Sequence, residues 1–149
     1  VNSGYTGFTM DTEGDYVYIG GDFLVRSTFN VTYSKGTLEL KGDFTQETQN
    51  NTYPRNFYCE GSHTVILSGT EKQTVSFQSA SSTCNILELK NTSDEGVYFD
   101  TPALPAVDFR QNGVKVRMSN GGILGWTLTE DTMLMEDVYL VAGNLDLTF

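Results

Sequence analysis

Basic residues are scarce in this chain. Its 149 residues include 9 Lys and Arg against 19 Asp and Glu, which gives a formal net charge of −10. Nucleic-acid binding relies on clustered Lys and Arg side chains that contact phosphates, so this balance argues against a nucleic-acid partner. Long hydrophobic runs are also missing, and none approaches the roughly 20 residues of a membrane-spanning helix. We therefore expect no membrane insertion.

Cysteine and histidine are also rare, with two cysteines and one histidine. Cys59 and Cys84 could form one disulfide or remain buried thiols, which behave as small hydrophobic side chains, and the sequence leaves both open. With His63 they do not make a zinc pattern, because a structural zinc site needs four suitably spaced ligands. His63 also lies outside any recognisable catalytic triad, and we predict a solvent-exposed histidine at a strand edge.

Helical periodicity is absent, and apolar residues alternate with polar ones instead. This alternation predicts strands with one face on a core and one face in water. Hydrophobic residues make up 38% of the chain and charged residues 19%, which is typical of a globular domain. The sequence therefore predicts one all-β domain over residues 1–149. The clearest alternating apolar positions are Val17, Ile19 and Phe23, then Leu38, Leu40 and Phe44.

The strands also repeat. Residues 17–23 recur as residues 38–44, an offset of 21, with the same Gly-Asp-Phe ending. Internal repetition at roughly 20–30 residues is typical of a solenoid, and we predict a parallel β-helix of about six or seven coils. An antiparallel sandwich is the alternative, although it does not require the same corner twice at fixed spacing. Weaker echoes of the repeat occupy residues 65–69, 87–91, 116–120 and 138–143.

Several of these strings resemble a known repeat module. The similarity is carried by Gly36-Thr-Leu-Glu-Leu-Lys-Gly-Asp-Phe-Thr-Gln46 and by residues 65–77, 85–91, 125–132 and 137–147. The module occurs in large secreted or cell-surface proteins of anaerobic Gram-positive bacteria. The resemblance implies a parallel β-helix without a catalytic signature, located outside the cell. It also implies that the chain is one module of a larger protein, covalently linked to neighbours such as a glycoside hydrolase.

The acidic residues do not form an active-site pattern. Asp22 and Asp43 occupy the same corner of successive repeats, where turn chemistry explains them better than general acid–base catalysis. Residues 11–15 alternate oxygen-bearing side chains, but they lack the length and closing Glu of an EF-hand loop. A calcium ion among the surface carboxylates remains open, and we predict no other cofactor.

The tyrosines point to a binding surface. Four of them fall on the outward register of their strands, where repeats elsewhere carry charged residues. Aromatic faces cover the apolar faces of sugar rings while charged groups bind hydroxyls, although tyrosines are also ordinary strand formers. The predicted binding residues are Tyr16, Tyr18, Glu39, Glu88, Tyr98, Arg117 and Tyr139.

The function predicted from these features is a non-catalytic carbohydrate-binding module. Its ligand would be a plant cell-wall polysaccharide of the xylan or glucan type, because an acidic protein disfavours anionic pectin unless calcium bridges the two. A structural spacer or adhesive stalk is the alternative. A small β-helical lyase or hydrolase ranks third, because it rests on fold analogy alone.

Overall fold

The computed structural model describes residues 8–49, 52–101 and 104–118 with their side chains, and the backbone of two further short strands. The described chain contains strands and turns, with no helix. The strands, in chain order, are β1 (Tyr16–Ile19), β2 (Phe23–Val25), β3 (Thr32–Tyr33), β4 (Thr37–Leu40), β5 (Phe44–Gln46), β6 (Tyr58–Cys59), β7 (Thr64–Leu67), β8 (Gln73–Phe77), β9 (Cys84–Leu89), β10 (Val97–Asp100), β11 (Ala106–Arg110), β12 (Val116–Met118), β13 (Gly122–Ile123) and β14 (Tyr139–Leu140).

The strands form parallel sheets stacked as a β-solenoid, which confirms the predicted fold class. The first sheet has the order β1-β4-β7-β9-β11, and the second has the order β12-β10-β8-β5-β2. A third, narrower sheet pairs β3 with β6 and continues as a single bridge between Tyr58 and Thr83. The chain therefore passes from the first sheet to the second and then to the third before the next coil begins.

The number of coils differs from the prediction of six or seven, because the described chain makes about 4 turns. The repeat count treats residues 116–120 as a separate coil. In the structure, β12 is instead the second-sheet strand of the coil that begins with β11. The echo at residues 138–143 lies outside the described residues, except for the backbone of β14.

Apolar side chains from successive coils stack inside the solenoid. In the first sheet Val17 lies beside Leu38, which lies beside Val65 in the next coil. In the second sheet Phe23 lies beside Phe44, and their ring centroids are 5.4 Å apart. The parallel register places like positions one strand spacing apart, so one apolar column serves all the coils. This is the physical reason for the alternating pattern in the sequence.

The two predicted corner aspartates join neighbouring coils. Asp22 Oδ1 accepts the backbone N–H of Asp43 at 2.9 Å, and Asp43 Oδ1 accepts the N–H of Thr74 at 2.7 Å. Each carboxylate therefore satisfies a backbone donor where the chain bends between the first and second sheets. These contacts confirm that Asp22 and Asp43 act in turn chemistry.

Gly96 packs against the following coil at another corner. Its φ is +68°, and a Cβ added there would lie 2.1 Å from Lys115 O. Left-handed backbone disfavours side chains by about 1–2 kcal/mol, and this clash adds to that cost. The sequence carries glycine here because both the backbone conformation and the neighbouring coil require it.

We predict that Gly96→Ala lowers the free energy of unfolding by about 3 kcal/mol, as measured by urea denaturation. Gly113→Ala isolates the conformational cost, because Gly113 has φ +70° but open space around its Cβ position, and a loss of about 1–2 kcal/mol is expected. Gly14→Ala has neither strain nor a close neighbour and serves as the control. Equal unfolding midpoints for Gly96→Ala and Gly14→Ala would contradict the tight coil contact.

Candidate functional site

Tyr16 and Tyr18 lie on the outer surface of β1, at the N-terminal end of the first sheet. Their side chains are 59% and 54% exposed, respectively, whereas Val17 and Ile19 between and beyond them turn inward. The alternation along β1 therefore exposes both tyrosine side chains to solvent, as predicted. Two exposed aromatic side chains two residues apart on one strand share one face of the sheet.

Glu39 and Glu88 lie on the same face, in register with Tyr18. The outward column that contains them crosses all five strands of the first sheet. Four strand spacings make this column about 19 Å long. In order, its residues are Tyr18, Glu39, Ile66, Glu88 and Arg110.

Arg117 and Tyr98 lie in the second sheet, which corrects the prediction that they share one binding surface with Tyr16, Tyr18, Glu39 and Glu88. They pair with each other in β12 and β10 of the second sheet, and Tyr98 also pairs with Thr74. The fifth position of the Tyr18 column is Arg110 and not Arg117. Both sheets carry the same apolar-x-apolar alternation, so the pattern alone could not assign Arg117 to its sheet. Tyr139 lies in β14, and its side chain is outside the described residues.

The Glu39 carboxylate is held by its neighbours on this face. Tyr16 Oη donates to Glu39 Oε2 at 2.5 Å, and Ser68 Oγ donates to Glu39 Oε1 at 2.5 Å. Lys41 Nζ donates to the Ser68 backbone carbonyl and lies 4.0 Å from Glu39 Oε1. The face therefore carries an ordered polar cluster beside the two exposed tyrosines. The alternating pattern did not indicate Ser68 and Lys41, because each is the residue that follows its strand.

The hydrogen bonds of this cluster shift the pKa values of Glu39 and Tyr16. The bond from Ser68, and then the bond from Tyr16, lower the pKa of the Glu39 carboxyl despite partial burial. The bond to Glu39 in turn raises the pKa of Tyr16. Glu39 is therefore an anion and Tyr16 a neutral donor at neutral pH. A carboxylate has about four acceptor positions, so Glu39 keeps capacity for the hydroxyls of a ligand.

A second polar cluster surrounds Glu88 at the other end of the column. Lys90 Nζ lies 3.4 Å from Glu88 Oε1, and Asn112 Nδ2 donates to the same oxygen at 3.3 Å. Asn112 also donates to the Leu89 carbonyl at 3.0 Å, which fixes its position. Beyond it, Arg110 Nη2 contacts Asp108 Oδ2 at 2.9 Å. These groups extend the polar surface across the later coils.

Charges on this face balance, unlike those of the whole chain. The strands of the first sheet and the residue after each carry three acidic and three basic side chains. The net charge of −10 is therefore carried by other parts of the molecule. A locally neutral surface does not repel an uncharged polymer and does not attract an anionic one. The six residues are Glu39, Glu88 and Asp108 with Lys41, Lys90 and Arg110.

A cavity of about 350 Å³ opens at the N-terminal end of the solenoid, away from this face. It is lined mainly by core side chains of the first coil, including Val17 and Phe23. Its polar lining residues Arg26 and Asn56 already have partners, because Arg26 pairs with Glu47 and Asn56 Nδ2 donates to the Glu47 carbonyl at 2.6 Å. The cavity therefore offers few free polar groups to orient a sugar.

His63 is fully buried, which makes the prediction of a solvent-exposed histidine wrong. Its Nδ1 lies 2.7 Å from the Lys35 carbonyl, and its ring stacks on Tyr33 with centroids 5.5 Å apart. The histidine faces inward because this backbone contact and the aromatic neighbour replace water around the ring. Cys59 and Cys84 are also buried, and both are free thiols.

The acidic turn over residues 11–15 is organised without a ligand. Asp15 Oδ2 accepts the backbone N–H groups of Asp11 at 3.2 Å and Thr12 at 3.1 Å. Among the described residues, no three acidic, cysteine or histidine side chains are gathered in an arrangement that could hold a metal ion. The described strands and turns likewise include no helix that could cross a membrane.

No protein-family model, curated protein or solved structure shows significant similarity to this chain. The relation to surface-protein modules therefore stays a prediction from the sequence.

We predict that Tyr16→Phe raises the pKa of Glu39 toward that of an ordinary glutamate, as measured by NMR titration of its carboxyl carbon. Because folding lowers this pKa, the hydrogen bond stabilises the protein above the unfolded-state pKa, and the gain disappears as pH falls through the folded-state pKa. The stability difference between the wild type and Tyr16→Phe should therefore shrink below about pH 4.

Tyr18→Phe is the matched control, because the described hydrogen bonds to Glu39 come from Tyr16 and Ser68. It should leave the Glu39 titration unchanged. An unaltered Glu39 pKa in Tyr16→Phe would show that the Tyr16–Glu39 hydrogen bond is absent in solution.

Proposed function

We propose that the outward face of the first sheet binds a neutral polysaccharide, and that the chain is a non-catalytic carbohydrate-binding module. The observation that carries this proposal is the pair of exposed tyrosines beside the ordered carboxylate of Glu39. Aromatic rings offer an apolar surface to sugar C–H groups, and the adjacent polar groups bind hydroxyls. A plant cell-wall polysaccharide of the xylan or glucan type is an uncharged, elongated polymer and therefore suits this surface.

The shape of the surface supports a polymer over a small molecule. The column from Tyr18 to Arg110 extends about 19 Å across five parallel strands, so it can contact several sugar units in succession. Ile66 in its middle is only 9% exposed although it lies in the outward register, so the ligand would contact the side chains around it. A small ligand would instead favour an enclosed pocket.

The lowered pKa of Glu39 supports binding over hydrolysis. A general acid needs a pKa raised toward neutrality, whereas hydrogen bonds from Ser68 and Tyr16 lower the pKa of Glu39. Glu88 is occupied by Lys90 and Asn112. Both carboxylates are thus arranged as fixed hydrogen-bond acceptors. A lyase or hydrolase function remains the third candidate.

The cellular setting belongs to the same proposal. The resemblance to surface-protein modules supports an extracellular or cell-surface location with covalently attached domains, a glycoside hydrolase among them. A single exposed face of this size gives modest affinity. Attachment to an enzyme or to a cell surface raises the effective concentration of the module at its polysaccharide.

We predict that neutral xylan or glucan retards the wild-type protein in affinity gel electrophoresis, and that Tyr16→Ala and Tyr18→Ala each weaken retention about tenfold. A tenfold change corresponds to about 1.4 kcal/mol of lost contact. Tyr98→Ala is the matched control, because it removes a tyrosine from the second sheet. Acidic pectin is tested in the same gel with and without calcium, which shows whether calcium bridges the acidic protein and the acidic polymer.

The outcomes separate the candidate functions. Absence of retardation by every polysaccharide would contradict binding and favour the spacer, for which the continuous stack of parallel coils is the supporting feature. Retardation that is lost in Tyr98→Ala and kept in Tyr16→Ala would move the site to the second sheet. Release of reducing sugars or unsaturated products over a long incubation would favour the enzyme.

A further inference from the structure

Cys59 and Cys84 occupy matching positions in neighbouring coils. Tyr58 pairs with Thr83 in a parallel bridge, so the residues that follow them are also neighbours across the two coils. The Cys59 N–H donates to the Thr83 carbonyl at 2.8 Å, which maintains this register. Directly opposed residues of adjacent parallel strands lie about 4.8 Å apart, within the range of about 4.4–6.8 Å between Cα atoms that a disulfide accepts. Both side chains point inward, with exposures of 2% and 0%.

His63 supplies a proton acceptor beside this pair. Its Nδ1 lies 2.7 Å from the Lys35 carbonyl, and because a carbonyl only accepts, Nδ1 carries the proton. The other ring nitrogen, Nε2, is therefore the acceptor in the neutral ring. Nε2 is buried and has no hydrogen-bond partner within the usual distance and angle limits. The titratable group that acts on the His63 ring is the Cys59 thiol.

The surroundings divide the two cysteines into unlike partners. Burial raises the pKa of Cys59, but its contacts with Cys84 and His63 more than offset this and bring the pKa to about 6. Burial and the contact with Cys59 raise the pKa of Cys84. Tyr33, the titratable group from the preceding coil, has a pKa of about 12 through burial and stays neutral. Cys59 is thus the thiolate of the pair and Cys84 the thiol.

We propose that Cys59 and Cys84 are a redox pair that closes into a disulfide between neighbouring coils when the chain meets a small disulfide such as oxidised glutathione. His63 acts as a positioning residue that takes the proton of Cys59. The inference is independent of the polysaccharide site, because the two cysteines lie inside the solenoid.

The exchange proceeds in two balanced steps. The Cys59 thiolate attacks one sulfur of oxidised glutathione, a mixed disulfide forms, and one glutathione leaves as a thiolate that takes up the proton held by His63. Cys84 then attacks the sulfur of Cys59, the second glutathione leaves, and the proton of Cys84 passes to this leaving thiolate. Two protein thiols are oxidised, and one glutathione disulfide is reduced to two thiols.

The bond would reinforce a ladder that is shorter than those of the first and second sheets. The first and second sheets each have five strands, whereas the third has two strands and a single bridge. Cys59 and Cys84 lie at that bridge. A disulfide there would keep the third corner closed when the backbone pairing opens.

The endpoint is tested by refolding the full chain, which removes any barrier caused by burial. Reduced protein is unfolded in urea and dialysed into a buffer that contains reduced and oxidised glutathione. We expect a monomer that is lighter by two hydrogen atoms, has no free thiol after denaturation and yields a peptide linking Cys59 to Cys84. Its Tm should exceed that of the reduced protein by about 10 °C.

Cys59→Ala is the control for this experiment, and its Tm should be the same in oxidising and reducing buffer. Two free thiols, stable glutathione adducts or disulfide-linked dimers in the refolded wild type would overturn the proposal. An intramolecular bond without a Tm difference would overturn its role in reinforcing the corner.

The role of His63 is tested by the pH dependence of the ultraviolet absorbance of the thiolate in the folded, reduced protein, because this measurement needs no reagent to reach the buried cysteines. In the wild type the absorbance should change little between about pH 7 and 9, because Cys59 is already a thiolate. In His63→Gln burial raises the pKa of Cys59, so the thiolate absorbance should be low at about pH 7 and rise over the same range. Identical pH profiles in the two proteins would remove His63 from the mechanism.

Discussion

The structure depends on one constraint, which is that parallel pairing places each side chain directly over its counterpart in the next coil. Inward positions must then be filled by apolar columns, of which Leu38 over Val17 is an example. Corner positions must satisfy backbone donors of the neighbouring coil, as Asp22 and Asp43 do. Outward positions become rows of side chains that cross the strands, and a row of this kind forms the proposed binding surface.

The same constraint determines what the sequence could predict. Alternation and the 21-residue repeat indicate a parallel solenoid, since residues 17 and 38 are direct neighbours across the first two coils. Alternation does not say which sheet a strand joins, and for this reason Arg117 was predicted on the same surface as Tyr18 although it lies in the second sheet. For the same reason β12 was counted as a coil of its own, whereas in the described residues it shares its coil with β11.

The burial of individual polar side chains also could not be predicted from the sequence. His63 and Gln73 are fully or almost fully buried, although both are polar. Gln73 Nε2 donates to the Gly42 carbonyl at 2.8 Å, and His63 contacts the Lys35 carbonyl. Each side chain replaces its water with a backbone partner that lies 28 or more residues away in sequence. Such partners become visible only when the register of the coils is known, so the place of His63 beside Cys59 and Cys84 could not be predicted from the sequence.

The proposed function rests on this register, because it collects Tyr16, Tyr18, Glu39 and Glu88 on one balanced, elongated face. The most direct test is NMR mapping of backbone amide shifts during titration with a neutral xylan or glucan oligosaccharide. The account predicts that the largest shifts fall on β1, β4 and β9 of the first sheet. Shifts confined to β10 and β12 of the second sheet, or no shifts with either oligosaccharide, would contradict it.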